Sequence, residues 1–191
     1  IYIMFIMPPL KTPICDFGIK AKNFELKSTD NKIISLDKIR GKKGTLIIFI
    51  CNHCPYVKAV IHDIVEDSKN LKKFGINVVA ISSNDVNTHP EDSFENMIKF
   101  AKKYKFNFPY LFDETEETAK TYEAVCTPDF FGYNNSLELE YRGRIRELKD
   151  LKPIRAGDSD LYKAMKQISE IGKGPDNQVP SMGCSIKWFN N

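Results

Sequence analysis

Apolar positions along this chain gather into short runs and stripes whose spacing predicts alternating strands and helices. The most uniform run is Thr45-Leu46-Ile47-Ile48-Phe49-Ile50, which suits a central strand covered on both faces. A second such run, Ile76-Asn77-Val78-Val79-Ala80-Ile81-Ser82, follows a stretch where Val57, Val60, Ile61, Ile64 and Val65 recur at helical spacing. That helix opens at Pro55, where proline loses no hydrogen bond, and ends at Gly75. Asp92-Ser93-Phe94-Glu95 reads as a capping box, with Asp92 the cap, for a helix carrying Phe94, Met97, Ile98 and Ala101 on one face. A short strand at Tyr110-Leu111-Phe112 and an amphipathic helix over 114–124 come next. A hairpin then pairs 129–133 with 137–141 across Asn134-Asn135, and a last helix turns Leu161, Ala164, Met165 and Ile168 inward. Upstream, Phe24-Glu25-Leu26 and Ile33-Ile34-Ser35-Leu36 form a leading hairpin. The order predicts an α/β domain with a parallel centre and an antiparallel end. Residues 1–10 are expected to be extended or disordered, 11–171 to form the domain, and 172–191 to be a tail packing on it.

Composition narrows the function classes. At 191 residues, one core needs no metal or disulfide staple, and a net charge of +3 spread along the chain speaks against nucleic-acid or membrane partners. Ile1 to Met7 is apolar but far short of the ~20 residues that span a bilayer. It also lacks the features of a signal peptide, so a cytoplasmic location is expected. Asp63, Glu66, His62 and His89 read as solvated side chains, and Arg142, Arg144 and Arg146 as a solvated basic edge.

The cysteines change the picture. Five of them (Cys15, Cys51, Cys54, Cys126 and Cys184) are too few and too scattered for a secreted disulfide scaffold. Cys51-Asn52-His53-Cys54 instead sits where a central strand hands over to a helix. Sites form at that end of open α/β sheets, and the helix amino end favours thiolate over thiol. Two cysteines three apart can close on each other and expel a mixed-disulfide partner, and a protonated His53 would add positive charge. A flavodoxin-like sheet also fits the element order, but no glycine-rich phosphate loop follows the first strand.

The segment Ile47 to Lys58, IIFICNHCPYVK, resembles the active-site segment of the thioredoxin superfamily. Pro109 to Thr115, Cys126-Thr127-Pro128-Asp129-Phe130-Phe131 and Gly183-Cys184-Ser185-Ile186-Lys187-Trp188 extend the likeness. They are similar to thioredoxin-like proteins of the alkyl hydroperoxide reductase/thiol-specific antioxidant (redoxin) group. The resemblance implies a thioredoxin fold: a central mixed sheet flanked by helices, here with an added N-terminal hairpin and an extended C-terminal tail. It also implies that Thr127-Pro128 is the cis-proline facing the active cysteines, where it leaves backbone groups free for an extended substrate and discourages metal capture.

Two registers are open. Aligning Phe49 with the family's strand aromatic puts Cys54 at the nucleophile position and Val57 where a second cysteine would stand. The other register keeps Cys51 and Cys54 as the CxxC pair. The preferred reading has Cys54 attack and Cys51 resolve, with Thr127 and Pro128 opposite and His53, Cys126 and Cys184 as accessory groups. Cys126 is expected near Cys54, and Cys15 to be a packing residue or an incidental thiol.

The activity expected is dithiol–disulfide exchange with a protein or small-molecule disulfide and a reducing or oxidising partner protein, with no bound cofactor. Two alternatives stand beside it. A peroxiredoxin-type peroxidase needs Pro-x-x-x-(Thr/Ser)-x-x-Cys. Counting back from Cys54 gives Cys51 and Ile47 at those positions, and counting from Cys51 gives Ile48 at the hydroxyl position. A copper- or zinc-binding protein would use Cys51, His53 and Cys54 with His89 as a distant ligand.

Overall fold

The computed structural model describes residues 9–13 and 15–189, so the expectation for residues 1–8 lies outside the described residues. From the amino end, β1 (Leu10–Lys11), the hairpin β2 (Glu25–Ser28) and β3 (Ile33–Ser35), and one helical turn α1 (Leu36–Ile39) lead into β4 (Gly44–Phe49). Then come α2 (Pro55–Leu71), β5 (Ile76–Ser82), α3 (Phe94–Lys103), β6 (Tyr110–Phe112) and α4 (Glu117–Thr121). The last third holds β7 (Cys126–Thr127), β8 (Asp129–Asn134), β9 (Leu139–Tyr141), a ribbon of β10 (Leu148–Lys149) and β11 (Lys152–Pro153), α5 (Asp160–Ile171) and β12 (Met182–Ser185).

Seven strands form one mixed sheet in the order β3-β2-β6-β5-β4-β8-β9. β4, β5 and β6 run parallel, and β8 and β2 flank them antiparallel. The period-2 alternation of β4 feeds two cores. Leu46 and Ile48 face one with α2, α3 and α5, whereas Ile47 and Phe49 face the other with α1, α4 and Tyr122. The predicted double-faced burial of this strand is thus met residue by residue. β12 lies apart from the main sheet, antiparallel between β1 and β7. Among the described residues no helix is long and apolar enough to cross a membrane.

Three local readings need correction. The helix expected over 114–124 shrinks to Glu117–Thr121, because Asp113 accepts the Thr118 and Ala119 N–H groups at 3.2 and 2.9 Å and Glu116 takes a left-handed φ of 63°. The Arg142/Arg144/Arg146 edge is not a free basic face. Arg142 is buried against Asp129, Arg144 pairs with Asp160 and Arg146 with Asp63, at 3.0, 2.8 and 2.9 Å. Asp92 does not cap α3. Ser93 does, accepting from the Asn96 N–H at 3.4 Å, while Asp92 closes a preceding 3-10 turn.

Gly132 of β8 makes the α5 contact possible. A Cβ there would come within 2.4 Å of Met165 Sδ and 2.9 Å of Tyr141 Cβ. Gly132→Ala should therefore cost about 1–3 kcal/mol through overpacking, read as a lower urea midpoint with an unchanged slope.

Candidate functional site

Four pieces of chain converge at the carboxyl end of β4: the Cys51–Cys54 loop, the amino end of α2, β7 with Pro128, and β12. Cys54 is the N-cap of α2 and Pro55 its first residue. Cys54 Sγ lies 2.9 Å from Cys184 Sγ and 3.1 Å from the Thr127 carbonyl oxygen. Cys51 Sγ lies 3.4 Å from Thr127 Oγ1 and 3.8 Å from His53 Nδ1. The Thr127–Pro128 bond is cis. Cys54 and Cys51 are 0% and 1% exposed, whereas Cys184 is half-buried.

The three sulfurs share their protons unequally. Hydrogen bonds from the Cys184 and Cys51 thiols hold Cys54 down to about 2, against the opposing effect of burial, and Thr127 and the Val57 N–H add to the lowering. Cys51 is pushed far up by burial and by its thiolate neighbour. Cys184 also rises, because its proton is what stabilises Cys54. These directions favour ionisation first at the sulfur on the helix N-terminus.

Asp92 organises the loop between the cysteines. Its fully buried carboxylate accepts the Asn52 and His53 backbone N–H groups at 2.8 and 3.2 Å, His53 Nδ1 at 2.6 Å and Asn84 Nδ2 at 2.8 Å. Asn52 is held as well, donating to Glu91 O and accepting from the Tyr110 hydroxyl at 3.1 and 3.0 Å. The Asp92 hydrogen bond raises the His53 pKa against partial burial. Burial pulls the Asp92 carboxyl upward, yet its bonds from His53 and Asn84 bring it below the usual carboxylate range. His89 is no distant surface group: its ring stacks on His53 at 5.1 Å, and burial and that neighbour's charge lower its pKa.

Asp92 and Asn84 are the site residues that sequence reasoning missed. One signal was present: Asp92-Ser93 places two competent cap residues in succession, so one was free for other work.

Of the other residues singled out, Cys126 turns its sulfur to Pro128 O at 3.6 Å and is raised by burial. Strand alternation points it away from the face on which Thr127 meets the cluster. Cys15 is half-buried beside the α1/α4 core. Cys51, His53 and Asp92 offer ligand atoms within 4.8 Å of one another, a set that fits a metal ion only if the 2.6 Å His53–Asp92 hydrogen bond opens.

A reactive-looking cysteine at the junction of a central parallel strand and a helix, faced by a cis-proline, on this sheet order, defines a thioredoxin-fold thiol protein. Within that class the chain belongs to the AhpC/TSA family, which matches residues 17–148. It is 31% identical over 115 residues to the chloroplastic peroxiredoxin Q of Triticum aestivum, a match covering 60% of this chain and 48% of that protein. It is 27% identical over 117 residues to the thiol-disulfide oxidoreductase ResA of Bacillus subtilis, covering 61% of each. The chain thus spans only about half to three-fifths of these relatives. A solved structure of an uncharacterized conserved protein from Geobacillus kaustophilus is similar over 97% of this chain and 98% of its own, with 39% identity and a TM-score of 0.91.

Proposed function

We propose that this protein is a thiol-disulfide oxidoreductase whose attacking sulfur is Cys54. A second cysteine of the cluster closes a disulfide with it, Cys51 being the partner the CxxC spacing offers, and Thr127 and Pro128 form the opposite wall. The observation that carries this reading is a buried cysteine sulfur at a helix N-terminus with other thiols in reach. Such a sulfur is both a ready nucleophile and a good leaving group. The substrate is a protein or small-molecule disulfide, and a thiol partner restores the starting state. No bound cofactor is required, because the electrons reside on sulfur.

Similarity to peroxiredoxin Q favours a second reading, thiol peroxidase. Against it, Cys51 and Ile47 occupy the places where a peroxidase motif ending at Cys54 needs a hydroxyl and a proline.

The test is a thiol count by mass spectrometry after alkylation, across a glutathione redox series. A transition removing two thiols is expected, and it should vanish in Cys54→Ser. Reduced wild type should also keep its ultraviolet thiolate absorbance well below pH 5, and Cys54→Ser should not. No disulfide at any poise would overturn the proposal. Thiol turnover with hydrogen peroxide but not with disulfides would replace it by the peroxidase.

A further inference from the structure

We propose that the reactive disulfide joins Cys54 to Cys184, not to Cys51, and that Cys184 is its substrate-facing half. This deepens the oxidoreductase reading and rests on it. The two sulfurs are 130 residues apart in sequence but 2.9 Å apart in space. A closing movement of about 1 Å suffices to reach bonding distance.

Three features support the assignment. First, Cys54 caps the amino end of α2, whose partial positive charge favours the departure of its sulfur as a thiolate. Second, Cys51 is fully buried, with Thr127 Oγ1 and the His53 ring against its sulfur, while Cys184 is the one member of the three that is partly exposed. Third, the strand carrying Cys184 is built for close approach. β12 pairs Cys184 with Thr127, and a Cβ on Gly183 would come within 2.0 Å of Thr127 O. Only glycine lets β12 lie this near, so any side chain at 183 would lift Cys184 off Cys54.

The exchange balances as follows. A substrate thiolate attacks Cys184 Sγ, the Cys54–Cys184 bond breaks, and Cys54 departs as the stabilised thiolate. The substrate's second thiol gives up its proton and attacks its own sulfur in the mixed disulfide. Cys184 is expelled and takes a proton. The dithiol substrate has lost two electrons to the protein. Run in reverse with a disulfide substrate, Cys184 gives up its proton and attacks the substrate, releasing one substrate thiolate; Cys54 then attacks Cys184 Sγ in the mixed disulfide and expels the other, and a dithiol reductant recharges the pair.

Tryptic mapping of the oxidised wild-type protein under non-reducing conditions tests the pairing directly. Cys51 and Cys54 share the peptide Gly44–Lys58, and Cys184 lies in Gly174–Lys187. The expected product is these two peptides joined by one disulfide. Cys184→Ser should lose exchange. In Cys54→Ser, glutathione should become trapped on Cys184. A disulfide internal to Gly44–Lys58, with exchange surviving in Cys184→Ser, overturns this inference and leaves the oxidoreductase standing. The absence of either disulfide at every poise overturns both. Mapping uses the unmodified chain, so a variant that fails to fold does not decide the matter.

Discussion

Asp92→Ala is expected to destabilise the fold by about 3–5 kcal/mol, the range for removing one partner from a buried ion pair. The carboxylate has no solvent contact and accepts four hydrogen bonds, two of them from the backbone of the Cys51–Cys54 loop. Alanine leaves those N–H groups, the His53 ring and Asn84 without their acceptor. The loop between the two cysteines then loses its anchor on the β5–α3 connection. Asp92→Asn is the sharper comparison, because it keeps the shape and removes the charge. The His53 pKa is raised above its ordinary 6.5, so its contribution to stability is present below that value and is lost as pH rises through the folded pKa. The Asp92 pKa is lowered below 3.8, so its contribution is present above that value and is lost as pH falls through the folded pKa. Urea midpoints measured near pH 5 and near pH 9 should therefore fall in the wild type by an amount missing from Asp92→Asn. Equal falls in both proteins would show that the ion pair contributes nothing.

Arg142→Met is the second large effect, again about 3–5 kcal/mol and by the same physics. The guanidinium reaches Asp129 with Nε and Nη2 at 3.3 and 3.0 Å, donates to Glu123 O at 2.8 Å and lies 4.4 Å over the Phe131 ring. Methionine fills the volume but leaves the Asp129 carboxylate, 0% exposed, with the Val125 N–H at 3.2 Å as its one remaining donor among the described residues. Burial already raises the Asp129 pKa, with Arg142 holding it back. Without Arg142 it must climb further, so the folded variant takes up a proton that the unfolded chain does not. Its deficit should shrink as pH falls toward the carboxylate range, and adding Asp129→Asn should restore much of the loss near pH 7. Thermal or urea unfolding of the single and double variants at two pH values checks this. A deficit independent of pH, and unrelieved by the asparagine, would assign Arg142 a packing role instead.

Both residues show where reading along the chain stops. Asp92 stands before a helix in sequence company that looks like a cap, and Arg142 stands in a basic stretch that looks solvated. Which carboxylate or N–H a polar side chain meets is decided by elements distant in sequence, and periodicity carries no record of them. Cys184 is the same case, since a cysteine in a Pro/Gly-rich tail shows nothing locally of the β12–β7 pairing that lays it on Cys54.

The sequence by itself determined the main strands and helices of the central sheet, the double-faced burial of β4 and the placing of Cys54 before Pro55 at a strand–helix junction. Those features follow from side-chain period and backbone geometry over a few neighbouring residues. Only the tertiary structure decided that Asp92 clamps the cysteine loop, that Arg142 is buried on Asp129, and that the sulfur beside Cys54 comes from the far end of the chain. Those contacts arise when separate elements pack together, and their partners are chosen by the three-dimensional fit of the whole domain.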